Sequence, residues 1–437
     1  MSSDKQYKND LHNKTETQLH TRDGVEVFLL SNPYLHSFCI SLYARAGSIF
    51  ETEKESGITH LCEHLVFRSV NRAMGGKLYK ELDRLGLSLE GCTYKEMVRF
   101  TVSGAKEHFK EGADILLRIL APLSLTAEDV RLEKGRVKAE IREGGEESTL
   151  DYFTDRILFA DSPLARTITG TVGNVSRIGV SELRRYHRAM LSAKNIFFYI
   201  TGAVTDGEAE AFARAVDGYT PDTETPRREN LAPLSPGFFH RGGVFIKNSR
   251  RHVVRLSIDV DTASVSDATL TLLYDILFGD GEACRLHQAL SETTGFIYSF
   301  RAGMELYKNV GVISVSYEIA PAHLYSSVQI MLDVLRSAKE SVKDVLACVR
   351  APYTDNAYLI FDSDTDLNFN RAYEKQFLGI PHRTVEERRA SYAAVTEEDI
   401  TALARKLFVP SHMTLTLKAP ERRVDVSRLS AMLADMK

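Results

Sequence analysis

Cysteine is scarce in this chain: five residues in 437, at Cys39, Cys62, Cys92, Cys284 and Cys348. The number is odd, the positions are scattered and no C-x-x-C occurs, so the usage is reduced and cytosolic and excludes a disulfide framework. Long apolar runs are also missing. No stretch approaches the roughly 18 residues of a membrane span, which leaves no place for a membrane partner. The first twenty residues are polar, with Lys5, Asp10, Lys14 and Glu16, and hold no apolar signal core. They read as a flexible arm (1–20) on a cytoplasmic protein. Neither sign of charge dominates: 55 basic residues stand against 59 acidic ones, a net charge of −4, which gives no footprint for nucleic acid. What is present is ordinary for a soluble globular protein, 43% hydrophobic and 26% charged. The length predicts two to three domains with ample core.

Proline punctuates the chain once with force. Four of the 12 prolines, Pro221, Pro226, Pro233 and Pro236, fall in a polar stretch that reads as a linker over 221–236. It separates a first domain, 21–220, from a second, 237–437. The two read as a degenerate duplication. In the first, the pattern predicts a strand over 38–46, helices over 57–68 and 77–85, strands over 87–94 and 96–104, and helices over 105–120 and 127–143. In the second, it predicts a strand over 253–261, helices over 267–278 and 282–293, strands over 297–302 and 310–318, and helices over 320–338 and 339–358. The fold class expected is α+β: two homologous domains, each a mainly antiparallel sheet with helices packed on one face.

Histidine numbers only 13, yet residues 60–64 read His-Leu-Cys-Glu-His. On a helix His60 and His64 project from one face, and Glu63 shares that side. Two neutral nitrogen ligands and a carboxylate base are what a catalytic zinc requires. The order H-x-x-E-H is that of the inverzincins. Cys62 sits about 200° around the helix from His60 and is expected to face the core. A third ligand must come from another element. The helix after Thr126 offers Glu128, Glu133, Glu140, Glu143, Glu146 and Glu147. Glu133 and Glu140 lie two turns apart on one face, about 10 Å along the axis, so only one of the two can be a direct ligand. The other would orient a ligand or the water. Glu143, Glu146 and Glu147 read as a solvated helix face.

With these residues the chain resembles the pitrilysin-type family of zinc peptidases, that of insulin-degrading enzyme and mitochondrial processing peptidase. It is most similar to the short two-domain bacterial members. In that family the third ligand is a glutamate about 76 residues past the second histidine, with another glutamate seven residues before it. Here those positions are Glu140 and Glu133. Ala46-Gly-Ser, Ser162-Pro-Leu, Gly170-Thr and Cys284-Arg-Leu-His-Gln resemble further family segments, with Ser162 where the family has His. The resemblance covers about residues 22–420. It implies one Zn2+ per chain on His60, His64 and Glu140, Glu133 behind a ligand, and Glu63 as the catalytic base of an endopeptidase for oligopeptides or short unfolded chains.

The resemblance also implies that substrate adds as a strand along a sheet edge, at Glu90-Gly91-Cys92-Thr93. Two departures matter there. Glu90 and Gly91 replace Asn and Ala of the family's N-A-x-T. Glu90 reads equally as a selector of basic residues and as a solvated edge charge. The Arg and Tyr with which the family grips substrate carbonyls fall at Ser291 and Tyr298, so the Arg is lost. This suggests the zinc-bearing subunit of a heterodimer whose related partner carries the Arg/Tyr pair, in a role such as peptide maturation. A homodimer in which Arg285 or Arg301 serves instead is the other arrangement, and a non-catalytic scaffold or partner-binding subunit is the alternative function. His36, His108, His187, His240, His252 and His287 have no partner spacing and read as structural or surface residues.

Overall fold

The computed structural model describes residues 16–160, 162–219 and 242–436. The linker read at 221–236 and His240 lie outside them, as do residues 1–15 of the arm. The end of that arm is not loose: Thr17–His20 forms an edge strand, β1, paired antiparallel with β2 (Glu26–Ser31).

Two mixed sheets repeat one plan. The first contains β1, β2, β3 (Ser37–Ala44), β4 (Ser88–Thr93), β5 (Val98–Ala105) and β6 (Ile196–Gly202), in the order β1-β2-β6-β3-β5-β4. The second contains β7 (Gly243–Asn248), β8 (Val253–Val260), β9 (Arg301–Tyr307), β10 (Val310–Glu318) and β11 (Met413–Ala419), in the order β7-β11-β8-β10-β9. Setting β1 aside, the strands correspond one to one, down to a single parallel pair in each sheet, β2 with β6 and β7 with β11. The α+β class and the duplication are thus visible in the topology.

On one face of the first sheet lie α1 (Ile58–Ala73), α2 (Leu78–Leu85), α3 (Phe109–Leu117), α4 (Ala127–Gly144), α6 (Val172–Arg177), α7 (Val180–Met190) and α8 (Asp206–Val216). Phe38, Ile40, Leu42 and Ala44 of β3, two apart, point into this layer, where Leu61, Leu65, Leu116 and Leu183 meet them. The second sheet is covered likewise by α9 (Asp267–Phe278), α10 (Leu324–Glu340), α11 (Lys343–Thr354) and the helices that close the chain.

The other face of each sheet is not left to solvent, which the sequence pattern did not foretell. Each half sends a helix across the sheet of the other. From the second half, α12 (Asp364–Tyr373) packs Leu367 and Ala372 against Phe28, Tyr43, Phe197 and Tyr199 of the first sheet. Asn368, fully buried, accepts from the Tyr43 hydroxyl at 2.9 Å and donates to the Tyr199 carbonyl at 2.8 Å. From the first half, α5 (Leu150–Leu158) lies on β11, with the Thr154 and Thr416 hydroxyls 2.7 Å apart. Asp151 at its start pairs with the buried Arg255 of β8 at 2.6 Å.

One expected strand moves. The span 297–302 is mostly irregular, and β9 runs instead from Arg301 because its register is set by a two-residue hairpin that pairs Tyr307 with Val310. Among the described residues no helix is long and apolar enough to cross a membrane.

Replacing Asn368 by Ala takes away the acceptor of the buried Tyr43 hydroxyl and leaves a gap in the core. It is expected to cost about 2–4 kcal/mol, read by urea unfolding. A second prediction concerns acid. His187 on α7 is buried beside the Ile119 carbonyl, and burial lowers its pKa from 6.5 to about 4. The folded state holds this ring neutral while the unfolded chain protonates it. Its contribution is therefore full above about pH 6.5 and is lost as pH falls through the range down to 4, by up to about 3 kcal/mol. Unfolding free energies of His187→Gln against wild type should differ in slope across that window; parallel slopes would refute the assignment.

Candidate functional site

The helix that carries H-x-x-E-H is started by unusual means. Gly57 stands at φ 88°, and a Cβ there would lie 2.5 Å from the Thr169 carbonyl oxygen, so only glycine lets the chain turn this close to residues 169–170. The buried Glu51 then accepts from the Gly57 and Thr59 amides at 2.8 and 2.9 Å. A carboxylate at the first turn satisfies free N–H groups and opposes the helix dipole. Thr59 also meets the Tyr186 hydroxyl of α7 at 2.5 Å. Nothing local in the sequence announces Glu51, which was not among the expected residues.

Helix α4 begins with a capping box, Asp129 N–H to the Thr126 hydroxyl at 3.1 Å and Thr126 N–H to the Asp129 carboxylate at 2.8 Å. It lies against α1 in the opposite sense, and the two helices meet through a ladder. His60, His64, Arg68 and Arg72 recur every four residues along α1. Facing them in order are Glu140, then Glu140 with Glu133, then Glu133 with Asp129, then Asp129.

At the top of the ladder, His60 Nε2 stands 3.1 Å and His64 Nε2 stands 3.9 Å from Glu140 Oε2. One ligand atom from each of these three residues falls within 4.8 Å of the others. Glu63, 6% exposed, turns Oε2 toward His60 Nδ1 at 3.9 Å. Glu133, 3% exposed, is not in the three-residue group; its Oε2 faces His64 Nδ1 at 3.5 Å. Its Oε1 accepts from Arg68 Nε at 2.8 Å and from Arg136 at 3.0 Å. Arg68 and Arg136 were missed by sequence reading. The signal for Arg68 was its place one turn beyond His64.

Electrostatics differ sharply between neighbours. Burial, helped by the Glu140 charge, pushes Glu63 up to about 7. Burial pulls His60 down, but the hydrogen bond and charge of Glu140 outweigh it and the net shift is upward. Burial and the His60 charge lower His64. The hydrogen bond from His60 holds Glu140 low. Cys62 is buried in the core on the far side of α1.

The four residues of the expected substrate edge divide by face. Leu89 packs on the core and Gly91 sits on the same side, against α1. A Cβ on Gly91 would lie 2.2 Å from Glu63 Oε1 and 2.7 Å from the Phe67 ring. Thr93, again on that side, is close enough to Glu63 to pull its pKa down against the effect of burial, although its buried hydroxyl makes no hydrogen bond among the described residues. Glu90 is exposed and Cys92 half-buried. β4 pairs only with β5, so its outer edge is free of any described strand. A cavity of about 310 Å³ beside Glu63 and His64 is walled by Phe67, Asn71, Tyr79 and Arg136.

Tyr298 is far from ordinary for an aromatic residue, 94% exposed. Arg285 is committed elsewhere, to Ser337 at 3.0 Å, the Ser341 carbonyl at 2.9 Å and Asp344 at 2.5 Å. Arg301 is exposed, 3.6 Å from Asp151. Ser291 lies in a stretch whose core, Gln288–Glu292, is π-helical.

With the fold and site in view, comparison with known proteins is decisive about kinship. The Insulinase (Peptidase family M16) pattern matches residues 26–172, and the pattern of the Peptidase M16 inactive domain matches 177–345. The chain belongs to peptidase family M16. An uncharacterized zinc protease of Mycobacterium tuberculosis is 23% identical over 399 residues, spanning 88% of this chain and 89% of that one. The beta subunit of the mitochondrial-processing peptidase of Saccharomyces cerevisiae is 27% identical over 239 residues, 54% of this chain and 51% of that one. In fold, a protease from Helicobacter pylori superposes with a TM-score of 0.82 at 14% identity, covering 93% of this M16 chain and all of that one (100%).

The ladder makes a testable distinction between its rungs. Arg68→Met removes the main partner of the buried Glu133 and is expected to cost about 2–4 kcal/mol. Arg72→Met, at the exposed end, should cost less than about 1 kcal/mol. Equal losses in thermal unfolding would refute the ordering.

Proposed function

We propose that this M16 chain is a zinc-dependent endopeptidase, with His60, His64 and Glu140 as the metal ligands and Glu63 as the base. The observation that carries the reading is the convergence of three ligand atoms within 4.8 Å beside a buried carboxylate. Zinc bonds of about 2.0–2.1 Å place tetrahedral ligand atoms roughly 3.4 Å apart, a value that lies between the His60–Glu140 and His64–Glu140 separations of 3.1 and 3.9 Å. Two imidazoles and one carboxylate are a catalytic donor set that leaves a fourth position open. A zinc ion there would supply a Lewis acid for the peptide carbonyl and a positive charge that acidifies water.

This chain's own residues do the rest. The Glu63 carboxylate takes the proton of the attacking water and returns it to the nitrogen of the leaving amine. Burial keeps its pKa close to neutrality, which suits a group that must accept and then donate. Glu133 holds His64 through Nδ1 and so presents Nε2 to the metal. The free edge of β4 offers backbone groups to an extended peptide, with Gly91 and Thr93 aligned on the Glu63 side and Glu90 and Cys92 on the other. Substrates would be oligopeptides or short unfolded chains.

The chain would act in the cytoplasm as the zinc-bearing subunit of a two-chain peptidase, with the metal in its first domain (21–220) and none in its second (237–437), in a role such as peptide maturation. The family includes a relative named as a subunit of a processing peptidase. Ser291 offers no guanidinium, Arg285 is tied to its own helix layer, and the exposed Tyr298 is left to a partner or a substrate to cover.

Glu63→Gln should keep about one zinc per chain while peptide hydrolysis falls by about 10²-fold or more. Zinc analysis and turnover on the same preparation check this; substantial residual turnover would refute the role of Glu63. Full activity of the purified wild-type chain without a partner would refute the two-chain arrangement while leaving the metal site intact.

A further inference from the structure

The second half contains a cavity of about 280 Å³ that shares no residue with the zinc site. Its apolar wall is Leu359, Ile360, Val385 and Pro352; its polar end is Arg371 and Arg388. Arg371 is 3% exposed. Two of its buried nitrogens, Nε and Nη1, have no hydrogen-bond partner. A buried guanidinium left in this state is costly, because each desolvated donor loses its water without replacement.

The neighbouring carboxylates are already engaged. Arg388 Nη1 donates to both oxygens of Glu374, at 2.6 and 2.9 Å, and Arg371 Nη1 approaches that carboxylate no closer than 3.5 Å. Asp267 is taken by Arg383, Glu386 by Arg389 and Glu16 by Lys375. Asp275 accepts from the Tyr353 hydroxyl. Arg371 and Arg388 thus share one carboxylate, and Arg371 keeps two donors without an acceptor beside a cavity with an apolar wall. Burial and the nearby Arg388 both loosen Arg371's hold on its proton. His382, with both ring nitrogens unpartnered, is lowered by burial with Arg371 adding to it.

We infer that this cavity binds a small organic monoanion, a carboxylate on a short apolar body, with the carboxylate on Arg371 and the body against Leu359, Ile360 and Val385. A carboxylate would give Arg371 the close charged acceptor it lacks, and the apolar wall favours an organic anion over inorganic phosphate. A guanidinium N–H donates a charge-assisted hydrogen bond to a carboxylate oxygen, and the nitrogen of Arg371 outside the fully buried pair, Nη2, is the one to make it. The inference is independent of the peptidase reading, since no lining residue takes part in that site.

Octanoate is the probe, with octanol as its neutral counterpart and inorganic phosphate as a head without a body. Calorimetric titration and melting of the full chain should show octanoate bound at least tenfold tighter than either control, with a rise in Tm. Arg371→Met should weaken octanoate at least tenfold without lowering the Tm of the ligand-free chain, because it removes an unsatisfied buried charge. Should that variant fail to fold, Leu359→Trp keeps every charge and narrows the mouth, where Leu359 is 63% exposed. It should lose octanoate by the same factor. Octanoate bound no better than octanol or phosphate, or bound equally by the variant that folds, would overturn the proposal.

Discussion

Everything at the candidate metal centre depends on the contact between two antiparallel helices, α1 and α4. Their facing sides carry opposite charge in register, basic residues every fourth position on one and carboxylates on the other. The lower rungs are ion pairs between arginines and carboxylates: Arg68 brings Nε and Nη2 to one oxygen of Glu133, and Arg72 meets Asp129 at 2.6 Å. The upper rungs replace arginine by histidine, which is weaker as a cation and better as a ligand. The same arrangement that fastens the helices at Arg68 and Arg72 therefore poises nitrogen and oxygen donors at His60, His64 and Glu140. The caps fix the register: Thr126 sets where α4 begins, and Glu51 sets where α1 begins.

The ladder would be of little use on a sheet free to splay. The first sheet is clamped between its own helices and α12 from the other half, with Asn368 joining Tyr43 to Tyr199 across β3 and β6. The reciprocal helix α5 follows directly after α4, so the segment that supplies Glu133 and Glu140 is continuous with the one anchored on the second sheet by Thr154 and Asp151. Each half thereby holds the other's sheet, and the helices of the candidate metal centre are tied to both.

Much of this was legible in the sequence, and the failures have a common cause. Helix 267–278 and strand 310–318 agree with the structure to the residue because their boundaries are written locally, by Ser266 capping the helix and by alternation in the strand. The ligand spacing and the glutamate pair were equally local. Strands β2 and β6 went unread. β6, Ile-Phe-Phe-Tyr-Ile-Thr-Gly, is buried at every position because it is covered on both faces, so it shows no alternation. That double cover comes from α12, some 160 residues away, and no period in the strand can report it. Glu51, Arg68 and the buried Arg371 likewise owe their surroundings to contacts made only on folding.

The second half shows why one chain carries one candidate centre. Where the first half places His60 and His64, the duplicate places α9, with Leu272, Leu273, Ile276 and Leu277 all buried. A helix with ligands on its inner face must keep an opening above it, and its sheet must give up packing there. An apolar helix closes the same space and adds to the core. The duplicated half is therefore free to spend its surface elsewhere: on the crossing helix that steadies the first sheet, and on the pocket at the end of that helix. Gly91 makes the complementary point in the first half. Any side chain there would drive into Glu63 and Phe67, so the edge strand approaches Glu63 closely only because it has given up a side chain, accepting a weaker strand along the free edge of the sheet.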